Sequence, residues 1–529
     1  MTNILRQIRY VRLALLALLG LPLVASAQPY DVIIRNGRVL DGSGSPWRHV
    51  DIAIDGDRIV AVGRLGDAQA RRVIDATGLY VAPGFIDPHS HASSGLAREQ
   101  TSLAHPLLAQ GITTVIINPD GGGAVDLDRQ RRALLQYPMG VNAAQLVPHG
   151  SVRRAVLGMQ DRAPTPTELD SMMALVRRGM EAGAFGLSSG LYYAPGSYAK
   201  TDEVVALARV AAEYGGAYTS HIRDEADYNI GVVGAVDEVI TVARDGGLPG
   251  VVTHVKALGP RVWGYSQAIV ERIDRARAQG IEVYADQYPY DASGTSITGA
   301  LVPRWAQVGG GDSLLARIRD DETRARLRTD MLNNLDRRGG ADRLLFRDSP
   351  RDEDDLAGRT LAEVAGERSM EPVDAAIDIL SRGGAGLISF NMIERDIETL
   401  MRQPWTMTST DGFLAAPGEG FHPRGNGTYA RKIRRYVVER GTVSLSHAIH
   451  SMTGLPASVF RVDDRGTIRP GAIADIVVFD LDSVTDRATY IEPYQLSEGM
   501  VYVMVNGELA IDGGNFTGAT TGRVLKRGR

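Results

Sequence analysis

Short apolar runs alternate with stretches of helical period through most of the central sequence. There are nine such runs, and the first ends at His89. The others cover residues 113–117, 144–147, 184–187, 217–220, 250–253, 282–286, 386–390 and 406–410. Alternation of this kind is typical of parallel βα units. We therefore predict an α/β fold built on a (β/α)₈ TIM barrel, with the surplus run among the last three.

The parts of the chain on either side of this region are rich in short strand patterns. Residues 30–60 contain alternating runs with Asn-Gly and Asp-Gly turn signals, and residues 471–507 resemble them. We expect one small β-sandwich domain completed by both chain ends. Its two parts are residues 28–82 and 464–529, and the barrel at residues 83–463 carries an insertion at about residues 302–350.

Residues 1–27 have the pattern of a cleaved signal peptide. A basic start is followed by an apolar run at residues 13–25 and by Ala25-Ser26-Ala27, which resembles a cleavage site. A single membrane anchor is the alternative, but the run is shorter than the roughly 20 residues that span a bilayer. We expect a periplasmic or secreted protein that has no membrane contact after cleavage.

Composition argues against several kinds of partner and bond. The formal net charge is −5 and no basic block is present, which argues against a nucleic-acid partner. The sequence has no cysteine, so disulfides and thiolate metal ligands are both excluded. The oligomeric state is left open.

Polar side chains follow the predicted strands, at the edge where a barrel places its active site. His89 and His91 are two residues apart, so they point to the same side of a strand. Three more residues directly follow later runs, and a fourth lies three residues after the second run: His221, His254, Asp411 and Asp120. One histidine at a strand end is usually structural, but four histidines and two aspartates together predict a metal site.

These residue types also indicate a chemistry. Histidine and carboxylate ligands suit Zn²⁺, which lowers the pKa of bound water to about 7. Asp411 is then placed to take a proton and to hand it to a leaving amine. The residues therefore indicate metal-assisted hydrolysis of an amide or an ester.

A set of motifs, in this order and spacing, resembles the N-acyl-D-amino-acid deacylase (D-aminoacylase) family of the amidohydrolase superfamily. The resemblance covers about residues 30–525. The motifs are Pro83–His91, Gly111–Val115, Gly186–Leu191, His221-Ile222-Arg223, His254-Val255-Lys256, Tyr288-Pro289-Tyr290, His422-Pro423-Arg424 and Arg469-Pro470-Gly471.

The resemblance implies a zinc site on the four histidines, with Asp411 as a ligand or as the general base. It also implies a small-molecule substrate that has a free carboxylate. The residues that would hold this carboxylate are Tyr193, Lys256, Ser293 and Arg424. A cation and a guanidinium fork suit such a group.

Asp120 is a departure from the family pattern, which has a cysteine metal ligand at this position. A carboxylate can bridge two metal ions, so the replacement keeps a ligand. It leaves open whether one or two Zn²⁺ ions bind, and an oxygen ligand makes Mn²⁺ or Co²⁺ alternatives. In the simpler interpretation, Asp120 only caps the glycine-rich turn that follows it.

The sequence thus predicts an exported metal-dependent amidohydrolase. The resemblance alone implies that its substrates are N-acyl-D-amino acids or dipeptides with a C-terminal D-residue. The alternatives are a cyclic-amide or lactone hydrolase on the same barrel and a binding protein without catalytic activity. We further hypothesise that residues 302–350 and 413–424 form a lid over the barrel mouth.

Overall fold

The computed structural model describes residues 29–350 and 356–528. The predicted signal peptide at residues 1–27 therefore lies outside the described residues. Within the described ranges, the helices are all too short or too polar to cross a membrane.

Eight parallel strand segments in the described part of the chain close into a barrel. In chain order, barrel strands 1 to 8 are Phe85–Ser90, Ile112–Ile117, Asn142–Gln145 with its continuation Val147–Pro148, Gly186–Gly190, Ala217–His221, Gly250–Val252, Val283–Gln287 and Thr406–Thr408. Strand 8 returns to strand 1, because Asp411 N donates to the carbonyl of His89 at 2.9 Å and His91 N donates to Gly412 at 2.9 Å.

Helices cover the barrel by burying one apolar face each. The helix Pro166–Glu181 shows how, because Met172, Val176 and Met180 are buried at a spacing of four residues. Its start is fixed by a capping box between Thr165 and Glu168. The α-helices are Ser93–Leu96, His105–Leu108, Leu127–Leu134, His149–Leu157, Pro166–Glu181, Thr201–Glu213, Gly231–Gly246, Ser266–Ala278, Ile297–Leu301, Gly311–Arg319, Asp321–Arg337, Leu361–Glu367, Pro372–Ser381, Glu394–Met401, Arg424–Arg431, Leu445–Met452 and Gly454–Phe460.

Both chain ends form a β-sandwich beside the barrel. A four-stranded sheet has the order Arg58–Gly63, Asp51–Asp55, Tyr30–Arg35 and Ala70–Asp75. A seven-stranded sheet has the order Asn515–Phe516, Glu508–Asp512, Met500–Val505, Ile476–Phe479, Tyr80–Pro83, Arg38–Val39 and Arg48–His49. The expected fold class, a TIM barrel with a small β domain built from both chain ends, is confirmed.

The strand Ile476–Phe479 shows how the two domains share a core. Ile476 and Val478 pack into the sandwich, whereas Val477 and Phe479 pack against the barrel cluster that contains Phe85. Side chains alternate between the faces of a strand, so a strand that is apolar on both faces joins the two layers. The seven-stranded sheet is therefore buried between the four-stranded sheet and the barrel.

The surplus run at residues 386–390 is not a barrel strand. Gly386–Ser389 lies in the middle of a three-stranded antiparallel sheet, between Ser293–Ser296 and Leu344–Phe346. The insertion predicted at about residues 302–350 is thus wider, and it extends from Ser293 to Ser389 with an apolar core of its own. Its strands are short apolar runs, and periodicity alone cannot distinguish such runs from buried barrel strands.

Lys432 is a cation buried between the barrel and its last helices. It begins the π-helix Lys432–Glu439 and is only 2% exposed. Its ammonium donates to Thr408 Oγ1 and to Ser451 Oγ, both at 2.8 Å. Burial lowers the pKa of Lys432 to about 7, because the interior disfavours the charged form.

We predict that Lys432→Met changes how stability depends on pH. An unfolded lysine has a pKa near 10.4, so between pH 7 and pH 10 the unfolded chain binds a proton that folded Lys432 lacks. The free energy of unfolding that comes from this group therefore rises with pH in that window. From pH 7 to pH 9 the wild type should gain about 2 kcal/mol relative to the variant. Urea unfolding at several pH values measures the free energy of unfolding of both proteins. The same pH dependence in the wild type and in the variant would contradict this assignment.

Candidate metal centre

Three side chains of the centre depend on backbone that is uncommon for non-glycine residues. Asp120, His254 and Asp411 have φ values of 56°, 36° and 47°, in the left-handed region. Each lies just after a barrel strand, where the chain turns and the side chain must face the barrel axis. Strain of this kind is kept where the surrounding structure determines it, often at active sites.

The first metal position lies among residues from strands 1, 2 and 8. The two oxygens of Asp120 lie 3.4 Å from His89 Nε2 and 3.2 Å from His91 Nε2. Asp411 Oδ1 lies 3.5 Å from His89 Nε2 and 3.2 Å from His91 Nε2. A tetrahedral zinc ion with bonds near 2.0–2.1 Å needs donor atoms about 3.3 Å apart. The four nitrogen–oxygen distances are close to that spacing, and the ligand atoms of His89, Asp120, His254 and Asp411 all lie within 4.8 Å of one another.

A second metal position lies at His221 and His254. His221 Nδ1 is 3.8 Å and His254 Nε2 is 3.6 Å from Asp120 Oδ1. The same oxygen also faces His89, so Asp120 can contribute to both positions. The structure thus brings together all six residues that the sequence suggested as metal ligands, and Asp120 is more than a turn cap.

The residues fit a metal because several of their buried nitrogen and oxygen atoms, which could bind a metal ion, have no hydrogen-bond partner. Among the residues that the structure describes, the ring nitrogens of His89 and His221 and the Oδ1 of Asp120 have no hydrogen-bond partner. Buried polar atoms are rarely left in this state unless a water or an ion completes them. Imidazole nitrogens and carboxylate oxygens are ligands that zinc accepts.

Electrostatics keeps the two carboxylates of the centre ionised. Burial opposes ionisation of Asp120, but His89, His254 and His91 hold the pKa of its carboxyl well below the usual value. Burial also opposes ionisation of Asp411, whose pKa is held well below the usual value by Arg424 and His254. Burial opposes protonation of His89, His91 and His254, but the neighbouring carboxylates raise the pKa of all three rings, so metal binding there must displace protons. Burial lowers the pKa of His221 to about 3. Deprotonated ligands are the ones that bind a metal.

Two further buried aspartates hold the strand ends in place. Asp286 accepts from His254 N at 2.8 Å and from Ser409 Oγ at 2.6 Å. Asp87 accepts from Thr410 N at 3.0 Å. These carboxylates tie neighbouring strands together directly beneath the metal positions, and such outer partners orient the ligands.

A cleft of about 460 Å³ opens above the centre, lined on one side by the metal positions and on the other by the insertion. All four predicted carboxylate-binding residues line it: Tyr193, Lys256, Ser293 and Arg424. A larger cavity of about 1080 Å³, beside the barrel, is lined by Arg223 and Glu238 and by none of these residues. Volume alone therefore does not locate the site.

The two cations of the cleft are already paired with carboxylates. Arg424 Nη1 lies 2.8 Å from Asp411 Oδ2. Lys256 forms an ion pair with Glu225, and its Nζ lies 2.8 Å from His254 Nδ1. A substrate carboxylate would have to share these cations with Asp411 and Glu225.

Glu225 is the residue that the sequence analysis missed. It is 4% exposed and contacts Lys256, His254 and His221. The only signal in the sequence is an acidic residue four positions after the strand-end His221. Glu225 lies in a loop, where no sequence periodicity predicts the direction of a side chain.

A TIM barrel with histidines and carboxylates converging at its strand ends defines a metal-dependent hydrolase. The sequence pattern of the amidohydrolase family matches residues 72–511 of this chain. The chain therefore belongs to the amidohydrolase family.

Individual relatives cover nearly the whole chain. It is 36% identical to the N-acyl-D-glutamate deacylase of Alcaligenes xylosoxydans xylosoxydans, over 90% of this chain and 93% of that protein. It is 33% identical to the D-aminoacylase of the same organism, over 95% and 99% of the two chains. The predicted resemblance to these deacylases and the prediction of an amide-bond hydrolase are confirmed.

A solved structure agrees with this. The crystal structure of the N-acyl-D-glutamate deacylase from Bordetella bronchiseptica, complexed with zinc and a phosphonate inhibitor, has a TM-score of 0.79 and 35% identity. It covers 94% of this chain and 100% of that chain. Zinc is thus present in a structural relative.

We predict that Asp120→Ala lowers the affinity for metal by more than about tenfold, because both positions lose a shared donor. Asp120→Cys should bind zinc but discriminate more strongly against Mn²⁺, since thiolate is a softer ligand. Metal content after dialysis against equal zinc and manganese measures both effects. Full metal content in Asp120→Ala would mean that Asp120 is not a ligand.

Proposed function

We propose that this protein is an exported, zinc-dependent deacylase of N-acyl-D-amino acids, or of dipeptides with a C-terminal D-residue. The observation that carries the proposal is the cleft itself, in which two metal positions face two cations, Lys256 and Arg424. A metal centre can activate water to hydrolyse an amide bond, and the two cations select a substrate that has a free carboxylate. The relatives named above support the D-configuration and the open-chain amide.

The residues of the centre divide the chemical work. Zinc held by the histidines, Asp120 and Asp411 would supply acidified water and polarise the scissile carbonyl. Asp411 is ionised at neutral pH, so it can accept the proton of the attacking water. It then returns this proton to the leaving amine nitrogen. Arg424 holds the other oxygen of Asp411 and fixes the direction of the proton transfer.

The opposite wall orients the substrate. Lys256 and Arg424 provide charge for its carboxylate, and Arg424 can use the nitrogens that Asp411 leaves free. Tyr193 Oη bonds Thr295 Oγ1 at 3.2 Å, and Ser293 Oγ accepts from Asn391 Nδ2 at 2.9 Å. These hydroxyls are held at the edge of the cleft, where they can complete the contacts to the carboxylate.

The alternatives remain weaker on specific grounds. A cyclic-amide or lactone substrate has no free carboxylate and would leave both cations without a role. A binding protein would not need a buried set of metal ligands that includes an ionised carboxylate base. Export is supported by the pattern of residues 1–27, and cellular fractionation of the tagged full-length protein tests it.

The proposed activity is tested with paired N-acetyl-D- and N-acetyl-L-leucine. We expect the zinc-loaded mature protein to hydrolyse the D-form only. Asp411→Asn should reduce kcat by about 10²–10⁴-fold, because the base is lost. Zinc content measured on the same samples shows whether the variant still holds metal. Equal hydrolysis of both enantiomers, or full activity of Asp411→Asn, would contradict the proposal.

The carboxylate assignment makes a separate prediction. Lys256→Met should raise KM for N-acetyl-D-leucine by about 10- to 100-fold and leave the slower hydrolysis of N-acetyl-D-leucinamide nearly unchanged, because removing one partner of a buried charge pair costs a few kcal/mol. Arg177→Met, at an exposed pair with Glu213, is the control. Equal losses on the acid and on the amide would show that Lys256 does not contact the carboxylate.

A further inference from the structure

Glu225 lies behind the two histidines of the second metal position. Its Oε1 is 3.1 Å from His254 Nδ1, and its Oε2 is 3.7 Å from His221 Nε2. The opposite ring nitrogens, His254 Nε2 and His221 Nδ1, are the ones that face Asp120. One carboxylate thus faces the far side of both imidazoles.

The loop that carries Glu225 is held firmly. The buried carboxylate of Asp224 accepts from Ala226 N at 2.9 Å, from Asn229 N at 2.6 Å and from Gly231 N at 3.0 Å. These three bonds wrap the loop around Asp224 and turn the next side chain, Glu225, inward. The position of Glu225 is therefore built into the fold.

An imidazole that binds a metal through one nitrogen carries its proton on the other. A carboxylate that accepts this proton fixes the tautomer and makes the metal-binding nitrogen more basic. For His254, a bond from Nδ1–H to Glu225 leaves the Nε2 lone pair directed toward Asp120. Glu225 has the position that this role requires.

Lys256 opposes that arrangement. Its Nζ lies 2.8 Å from His254 Nδ1, and an ammonium can only donate. A bond from Lys256 to Nδ1 therefore requires the proton on Nε2, and this tautomer cannot bind metal. The two arrangements exclude each other, and Glu225 favours the metal-binding one because it attracts the ammonium and accepts from Nδ1.

We propose that Glu225 is the positioning residue of the second metal position, and that it selects the metal-binding tautomer of His254 against competition from Lys256. This role belongs to the metal centre and does not depend on the substrate assigned above. Glu225→Gln should therefore weaken metal binding at the second position, whereas Lys256→Met should not.

The experiment is zinc titration of the full mature protein against a chromophoric chelator. Glu225→Gln should weaken one of the two equivalents of zinc by about 10- to 100-fold and leave the other unchanged. Lys256→Met should hold both equivalents as tightly as the wild type or more tightly. Glu238→Gln is the matched control, since Glu238 is also buried and paired, with Arg223, but lines the other cavity.

Imidazole ¹⁵N shifts of protein labelled at its ten histidines provide a readout that general destabilisation would not produce. The His254 signal is identified by its loss in His254→Asn. In zinc-free protein at a pH where this ring is neutral, it should show the Nδ1–H tautomer in the wild type and the Nε2–H tautomer in Glu225→Gln. Unchanged zinc affinity and tautomer in Glu225→Gln would overturn the proposal. Two other results of the zinc titration would also overturn it. One is that Glu225→Gln weakens both equivalents of zinc equally, and the other is that the protein binds a single equivalent whose affinity Glu225→Gln does not change. Loss of deacylase activity alone would bear on the proposed function and not on this inference.

Discussion

The structure depends on keeping two carboxylates and four imidazoles together at one buried point. Charges taken out of water are costly unless partners compensate them. Asp120 provides that compensation at the centre, because it lies within 4 Å of all four histidines. Three of these histidines, His89, His254 and His91, hold its pKa low against the effect of burial, so Asp120 itself stays ionised and offers negative charge to a divalent cation.

The barrel brings these residues together without local sequence proximity. The ligands come from strands 1, 2, 5, 6 and 8, and their shared edge is the carboxyl end of the sheet. The chain ends support this edge from below. Asn506 donates to Asn142 Oδ1 at 2.8 Å, and Asn142 donates to Asp475 Oδ2 at 3.2 Å. The second part of the sandwich is thus tied to strand 3, next to the strand that leads to Asp120.

The parts of this structure that periodic patterns encode were predictable from the sequence. The barrel strands were predicted from the alternation of apolar runs and helical stretches. Because the carboxyl ends of parallel strands meet at one edge of the barrel, Asp120 and Asp411 were predicted to lie in one site. The run at residues 386–390 was ambiguous, because a short apolar strand looks the same in a barrel and in a small antiparallel sheet. Glu225 could not be predicted, since its direction depends on three backbone bonds to Asp224 that no residue pattern indicates.

The cleft is organised so that the metal and the substrate use opposite partners of the same ion pairs. Arg424 is held by Asp411, and Lys256 is held by Glu225, so both cations are kept oriented by carboxylates that also face the metal positions. Two cations that contact the same carboxylate change each other's affinity for it, and this coupling is reciprocal. Any cation that draws on Asp411 weakens its hold on Arg424 and frees the guanidinium for another carboxylate. Metal loading should therefore prepare the opposite wall for its substrate, through side chains that touch both.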